Sequence, residues 1–184
     1  MNFPYVSQLQ PWIGISYGFK NIYMNTTIKI ALTTFLFSIV SVIAFAQTGK
    51  YKCMIQMNAY QGEKAYVIIS LINPKGAYEK TLAVLGPDKQ WYNTLKEWYK
   101  FQSKTKEKLN AVTGASVGGG DRAIRTLEID ESKFNKGYKL RFESAVEEQN
   151  YHTAEVEIPL TKSAITEKAS GKGYIRLVKL SKIQ

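Results

Sequence analysis

The chain has very little of the two residue types that most often build covalent or metal-bound sites: one cysteine, Cys53, and one histidine, His152, in 184 residues. A single cysteine excludes an internal disulfide framework. A single histidine argues against a zinc centre and against a histidine-based catalytic triad. The G-x-S-x-G motif of many hydrolases is also missing. We therefore predict a protein that is not an enzyme and that holds no metal.

Acidic residues are scarce as well, since 15 Asp and Glu stand against 25 Lys and Arg, for a formal net charge of +10. The cations are spread along the chain and do not form one basic cluster, so nucleic acid is not a predicted partner. A solvated basic surface is the simplest interpretation of the charge. An acidic partner or an anionic cofactor is the functional alternative.

The N-terminal part carries few charges and one hydrophobic run. From Lys29 it reads KIALTTFLFSIVSVIAFAQ, where one cation, an apolar stretch and Ala44-Phe45-Ala46 succeed each other as in a secretory signal peptide. The apolar run of about 17 residues is short for a membrane-spanning helix. We predict a mis-called extension at residues 1–23, a signal peptide at 24–46 (an uncleaved anchor is the alternative), and a periplasmic domain at 47–184 that does not span the membrane.

Alternation of apolar residues with period two predicts a mainly β domain. KAYVIISLI reads as a central strand covered on both sides, and NPKG (Asn73–Gly76) marks a hairpin turn after it. We count seven strands, one helix and one glycine-rich loop, which favours an antiparallel, immunoglobulin-like β-sandwich of one domain. His152 is predicted to be an exposed strand or turn residue. The first strand has one inward face: Tyr51, Cys53, Ile55 and Met57.

One helix is predicted at about residues 88–103, within DKQWYNTLKEWYKFQSK. Asp88 is a suitable N-cap for it. Packing of its apolar face on the sheet is the simpler interpretation, and stacking of its aromatic rings on a flat ligand is the alternative. That face has residues spaced i, i+4, i+7 and i+8: Trp91, Leu95, Trp98 and Tyr99.

The stretch NAVTGASVGGGD, Asn110–Asp121, is rich in glycine and hydroxyl residues. Gly114 and Gly119 have the glycine spacing of a P-loop, but Gly120-Asp121 follow where Lys and Ser/Thr are required, and an aspartate would repel phosphate. A G-x-G-x-x-G dinucleotide fingerprint is missing too. A flexible surface loop and a site of covalent attachment are the two interpretations left.

Within this loop, Asn110-Ala-Val-Thr113-Gly114-Ala115-Ser116 resembles the flavinylation motif Asp-x-x-[Ser/Thr]-Gly-Ala-[Thr/Ser] of proteins with FMN-binding domains. Asn110 takes the place of the aspartate. The resemblance implies that an extracytoplasmic flavin transferase moves FMN from FAD onto the last hydroxyl, that of Ser116, as a phosphoester. Gly114 and Ala115 would keep the neighbouring backbone bare for that enzyme, and Thr113 would hydrogen-bond within the turn. All five are predicted cofactor-binding residues.

A wider segment, Lys50–Leu180, resembles domain-of-unknown-function family 2271, a family of predicted exported bacterial proteins. The shared features are the NPKG hairpin, the W-x6-W helix and the loop with T-G-A-S. The resemblance implies an immunoglobulin-like sandwich associated with flavin transferases and with membrane redox proteins of the PepSY type. It thus implies an extracytoplasmic electron-transfer protein with covalent FMN. The lysines before the loop could offset the phosphate charge: Lys104, Lys106 and Lys108.

A second hypothesis, that of a binding protein, remains. In this hypothesis the protein is a non-redox, exported β-sandwich module, whose glycine-rich loop and aromatic helix bind a protein, a peptide or a glycan. A sandwich fold serves both functions, so the fold alone does not separate them.

Overall fold

A computed structural model describes residues 25–26 and 47–183 of the chain. The predicted extension and signal peptide fall on residues 1–46 and so lie outside the described residues, apart from Asn25 and Thr26. The described residues contain one α-helix, α1 (Lys96–Thr105), and nine strands: β1 (Thr48–Met57), β2 (Tyr66–Ile72), β3 (Tyr78–Leu85), β4 (Thr113–Gly114), β5 (Arg122–Asp130), β6 (Lys139–Ala145), β7 (Tyr151–Pro159), β8 (Lys168–Ser170) and β9 (Ile175–Lys182).

The strands form two sheets, one in the order β5-β1-β9-β8 and the other in the order β4-β3-β2-β6-β7. Neighbouring strands are antiparallel except β3 and β4, which are parallel. The predicted mainly β sandwich is therefore confirmed, with all seven predicted strands. The short β4 and β8 are additions, because two or three residues are too few to show a periodicity.

The main core lies between the two sheets. Residues of β1 and of the facing sheet belong to one buried cluster. Cys53 at its centre is fully buried, and burial raises the pKa of its thiol to about 12. This cysteine is therefore a packed apolar residue and not a reactive one. The predicted inward face of β1 is confirmed, since its members are at most 3% exposed: Tyr51, Cys53, Ile55 and Met57.

A smaller core covers the outer face of the five-stranded sheet. Ile68 on β2 and Val84 on β3 belong to one buried cluster with Tyr92, Leu95 and Trp98 of the helical segment. The central strand β2 is therefore covered on both sides, as its continuous apolar sequence predicted.

The prediction of one continuous helix at 88–103 is wrong. A 3-10 helix (Lys89–Thr94) precedes α1, and Leu95 lies between them with φ −87° and ψ 63°. The two pieces differ in the number of residues per turn, so a spacing of i, i+4 and i+7 across Leu95 no longer describes one face.

The start of the segment agrees with the prediction. The Asp88 carboxylate accepts a hydrogen bond from the backbone N–H of Gln90 at 3.0 Å and so caps the 3-10 helix. The aromatic residues divide between environments because of the break: Trp98 is fully buried, Trp91 is half-buried and Tyr99 is 42% exposed.

His152 lies on β7, but it is half-buried, so the prediction of an exposed residue is wrong. Its ring meets the ring of Tyr174 edge-on, with centroids 5.1 Å apart. A Cβ atom at Gly173 would lie 2.4 Å from the imidazole. The burial of His152 thus depends on a glycine 21 positions later in the sequence, which the polar run next to the histidine does not reveal.

The outer face of the five-stranded sheet also buries a carboxylate. Glu143 on β6 is 0% exposed and accepts hydrogen bonds from the hydroxyls of Tyr78, at 2.6 Å, and of Tyr151. The Tyr151 oxygen in turn accepts from the backbone N–H of Glu97, at 3.2 Å, in the first turn of α1. Burial raises the pKa of the Glu143 carboxyl from 4.5 to about 6, although both tyrosine hydroxyls favour its ionised form.

This carboxylate predicts a pH dependence of stability. A carboxyl whose pKa is raised by folding stabilises the fold fully below its unfolded pKa, and that contribution is lost as pH rises through the folded pKa. The free energy of unfolding should therefore fall by about 1–2 kcal/mol between pH 4.5 and pH 6.5 on account of Glu143. Urea unfolding followed by circular dichroism measures it. Glu143→Gln should make the fall smaller by this amount, and the exposed Glu167→Gln should leave it unchanged. A part of the fall remains in Glu143→Gln because burial also raises the pKa of Glu155. Equal falls in the wild type and in Glu143→Gln contradict the assignment.

Candidate functional site

The glycine-rich loop runs from the end of the helical segment to β5. It includes β4, at the edge of one sheet, and leads into β5, at the edge of the other. Backbone hydrogen bonds fix it on both sides of Ser116. Before the serine, the Gly86 N–H donates to the Gly114 carbonyl at 2.8 Å. After it, Val117 and Ala65 exchange two bonds of 3.0 and 2.8 Å. The predicted loop is thus held at a defined position on the sandwich.

The glycines after Ser116 serve this attachment of the loop. A Cβ atom at Gly119 would lie 2.2 Å from the Tyr60 carbonyl oxygen, so only glycine permits the close approach. Gly120 has φ +78°, which favours glycine, and its N–H donates to the Asn58 carbonyl at 2.8 Å. The run GGG therefore closes the loop onto the end of β1.

Ser116 is half-buried and lies where two cavities meet. Its neighbour Ala115 is exposed, so the serine can be approached from solvent on that side. Ser116 therefore lines one cavity together with aromatic side chains and another together with arginine side chains.

The first cavity, which we call the aromatic cavity, has a volume of about 220 Å³. Tyr66 of β2 and Trp91 of the 3-10 helix supply its aromatic surface, and Lys64, Glu63 and Glu147 its charged rim. The break at Leu95 is what places Trp91 here while Trp98 is packed in the smaller core.

The second cavity, which we call the arginine cavity, has a volume of about 310 Å³ and includes Arg122, Ile124 and Arg125 of β5 together with Ser116; the acidic residue Asp121 lines it as well. Ile124 is 52% exposed. Arg122 is oriented by a hydrogen bond from its Nε to the Gln56 side-chain oxygen at 3.0 Å.

Arg125 is the residue that the motif did not indicate. It pairs with Cys53 across β1 and β5, so it lies on the inward face of β5, where Leu127 and Ile129 are buried. A Cβ atom at Gly114 would lie 1.3 Å from its Nη2 atom and 2.1 Å from its Cζ atom. The guanidinium therefore rests on Gly114, two residues from Ser116. A signal existed in the sequence, since Arg125 interrupts the apolar alternation of RAIRTLEID.

The other predicted residues divide into two groups. Thr113 hydrogen-bonds within the turn as predicted, from its hydroxyl to the Leu109 carbonyl at 2.9 Å. Asn110, in contrast, is exposed and lines a different cavity, of about 840 Å³, with Lys108 and Tyr99. The structure brings Thr113, Gly114, Ala115 and Ser116 together and places Asn110 away from the cavities of the serine.

The predicted lysines do not share the cavities of Ser116. Lys104 and Lys106 are exposed at the end of α1, and Lys108 lies in the cavity of Asn110. The cations near the serine are instead Lys64, Arg122 and Arg125. Within the residues that the structure describes, no group of three or more His, Cys, Asp or Glu side chains is placed to hold a metal ion.

Fold and site together define a class of protein: a two-sheet β-sandwich that presents a fixed, hydroxyl-bearing loop between an aromatic and a cationic cavity. A family model described as "Predicted periplasmic protein", domain of unknown function 2271, matches residues 48–177. The chain belongs to this family. The description confirms the predicted periplasmic location, and no helix among the described residues is long and apolar enough to cross a membrane. No curated protein and no solved structure matches the chain.

Proposed function

We propose that the protein is an extracytoplasmic, flavin-bearing electron-transfer protein, with FMN attached through its phosphate to the Ser116 hydroxyl. The observation that supports this most is the position of Ser116, at the junction of the aromatic and arginine cavities. A cation would stabilise the phosphate of a phosphoester at this oxygen, and an aromatic surface would stabilise the flat ring. Side chains of both kinds line the cavities that Ser116 lines.

The attachment reaction is a transfer from FAD by a flavin transferase. The Ser116 oxygen attacks the phosphorus on the riboflavin side of the FAD pyrophosphate, and the bond from that phosphorus to the bridging oxygen breaks. AMP leaves, and the serine proton is released to the transferase or to water. The exposed Ala115 leaves the backbone beside the acceptor open to the second enzyme.

The aromatic cavity is the proposed place of the isoalloxazine ring. Of the aromatic residues in the helical segment, Trp91 shares a cavity with Ser116, whereas Trp98 and Tyr92 are buried in the smaller core. Stacking on an indole or a phenol ring stabilises a flat ligand. A ring held here would keep an edge exposed, which outer partners need for electron exchange. The flavin would supply the redox chemistry, and the protein its position and surroundings.

The proposed partners follow from the same function: a flavin transferase for loading, and a membrane redox protein of the PepSY type for electron exchange. The net charge of +10 suits an acidic surface on such a partner. Arg122 and the exposed Ile124 beside Ser116 offer such a partner a cationic and an apolar contact.

The test is to express the full chain in bacteria with an active extracytoplasmic flavin transferase, and in parallel with an inactive transferase. The intact mass of the exported protein should rise by that of FMN less one water, and the band on a denaturing gel should fluoresce. No added mass, in cells whose transferase loads a known acceptor, would contradict the proposal.

One observation favours the non-redox binding module as a second candidate. The cavity of about 840 Å³ beside the helical segment is lined by Tyr99, Gln102 and Asn110, a mixture of an aromatic ring and amide groups. Such a mixture suits the apolar faces and hydroxyl groups of a glycan. A module of this kind would acquire no FMN mass, so the transferase experiment distinguishes the two candidates.

A further inference from the structure

We propose that Arg125, seated on Gly114, is the binding residue for the phosphate of the attached FMN. This inference rests on the proposed function and assigns a role that the flavinylation-like motif does not contain. It also gives the glycine of that motif a different purpose, which is to make room for a cation from another strand.

The first argument is the unusual place of the cation. The inward face of β5 continues from Arg125 into Leu127 and Ile129, which are 0% and 1% exposed. The Nε atom of Arg125 is buried without a hydrogen-bond partner, and among residues 47–183 no carboxylate forms an ion pair with this guanidinium. Arg125 is half-buried, so solvent reaches part of the guanidinium, but a buried Nε without a partner still destabilises the free protein. An anion bound here would supply that partner.

The second argument is the position of the Arg125 guanidinium against Gly114. The guanidinium occupies the space that a side chain at position 114 would fill. Gly114 is also fixed by strand pairing, since it lies opposite Leu85 in the β3–β4 ladder. The guanidinium thus lies against a fixed piece of backbone, and Arg125 lines the arginine cavity that Ser116 also lines.

The third argument is the short distance along the chain between Gly114 and Ser116. Two residues of extended chain span about 7 Å at most, so the Ser116 backbone lies near the guanidinium that contacts Gly114. The FMN phosphorus would be bonded directly to the Ser116 oxygen. A phosphodiester carries one negative charge and two free oxygens, and the planar fork of arginine donors matches such a pair of oxygens. Arg122, held by Gln56, is a second cation in the cavity, so two arginines outnumber the one acidic residue there, Asp121.

The experiment measures FMN attached per chain over time during co-expression of full-length variants with the transferase. Arg125→Gln should slow attachment about tenfold to a hundredfold, since a hydrogen bond to a charged group contributes about 1.5–3 kcal/mol. Arg125→Lys should lie between Gln and the wild type, because it keeps the charge without the fork. Arg176→Gln, an exposed arginine on β9, is the matched control and should load like the wild type.

The role of Gly114 is tested with the same assay. Gly114→Ala would displace the guanidinium, so it should slow loading as much as Arg125→Gln. The double variant should be no slower than either single one. If the losses in loading rate of the two single variants add up in the double variant, Gly114 acts only on access of the transferase. The proposed role of Gly114 in positioning the Arg125 guanidinium would then be wrong. Melting temperatures of the unloaded variants identify those that fail to fold, and Arg125→Lys preserves the test if the glutamine variant fails.

A second measurement reports on the phosphate directly. The ³¹P resonance of the attached FMN should shift in Arg125→Lys relative to the wild type and stay unchanged in Arg176→Gln. If the wild type loads FMN, and Arg125→Gln and Arg125→Lys match it in loading rate and in ³¹P resonance, the inference fails while the proposed function stands. If the wild type never loads FMN, the proposed function itself fails.

Discussion

Ser116→Ala is expected to abolish FMN attachment completely, whereas Ser116→Thr should retain it. Alanine removes the oxygen that would form the phosphoester, and no neighbouring group replaces it: Ala115 has no hydroxyl, and the Thr113 hydroxyl donates to the Leu109 carbonyl at 2.9 Å. Threonine keeps a hydroxyl on the Cβ atom of residue 116. Intact mass after co-expression with the transferase measures both results.

Three comparisons make this prediction specific. Ser103→Ala, on the exposed face of α1, should load like the wild type. Thr113→Ser should still load, because it keeps the hydroxyl that is bonded inside the turn. Ser116→Ala should unfold within about 0.5 kcal/mol of the wild type, as for most substitutions away from the core. FMN on Ser116→Ala would assign the attachment to another oxygen.

Regular alternation is the part of this fold that could be read from the sequence. The residues Tyr51 to Met57 alternate because one face of β1 meets the main core, and the same holds for Val156, Ile158 and Leu160 in and after β7. Long-range pairing has no such local signal. The two residues of β4 form a strand only because β3 lies beside them.

Sequence periodicity could not predict the division of the helix, for a related reason. Trp91, Leu95 and Trp98 fit one helical face by spacing, yet the smaller core is filled by Leu95 and Trp98 while Trp91 lies over the loop. The choice is made by the surfaces that each side chain meets, and those come from distant strands. Local spacing contains no information on them.

The candidate site divides in the same way. Residues Thr113 to Ser116 could be found because a motif places them side by side. Arg125 could not be assigned a role, because its relation to Gly114 depends on the edges of two sheets lying together. What the sequence does contain is a cation in an apolar alternation, and such an interruption is informative because a charge on an inward face requires a partner.

Trp98→Ala should lower the free energy of unfolding by about 3–5 kcal/mol, a large fraction of the stability of a domain this size. Trp98 is 0% exposed, its ring meets that of Tyr92 edge-on at 5.1 Å, and its indole N–H donates to the Thr81 hydroxyl at 2.9 Å. Alanine would leave a cavity at the centre of the smaller core and a buried hydroxyl without its donor. Urea unfolding followed by far-ultraviolet circular dichroism measures the loss.

The matched control is the next residue, Tyr99→Ala, which removes a ring that is 42% exposed and should cost less than about 1 kcal/mol. Trp98→Phe should cost about 1–3 kcal/mol, because it keeps much of the volume and loses the hydrogen bond. Adding Thr81→Val to Trp98→Phe should recover part of that cost, since the orphaned hydroxyl is then gone. Equal losses for Trp98→Ala and Tyr99→Ala would contradict the division of the aromatic residues. In that case Trp98 would be a candidate ligand contact like Trp91, and the smaller core would not be what holds the helical segment over the loop.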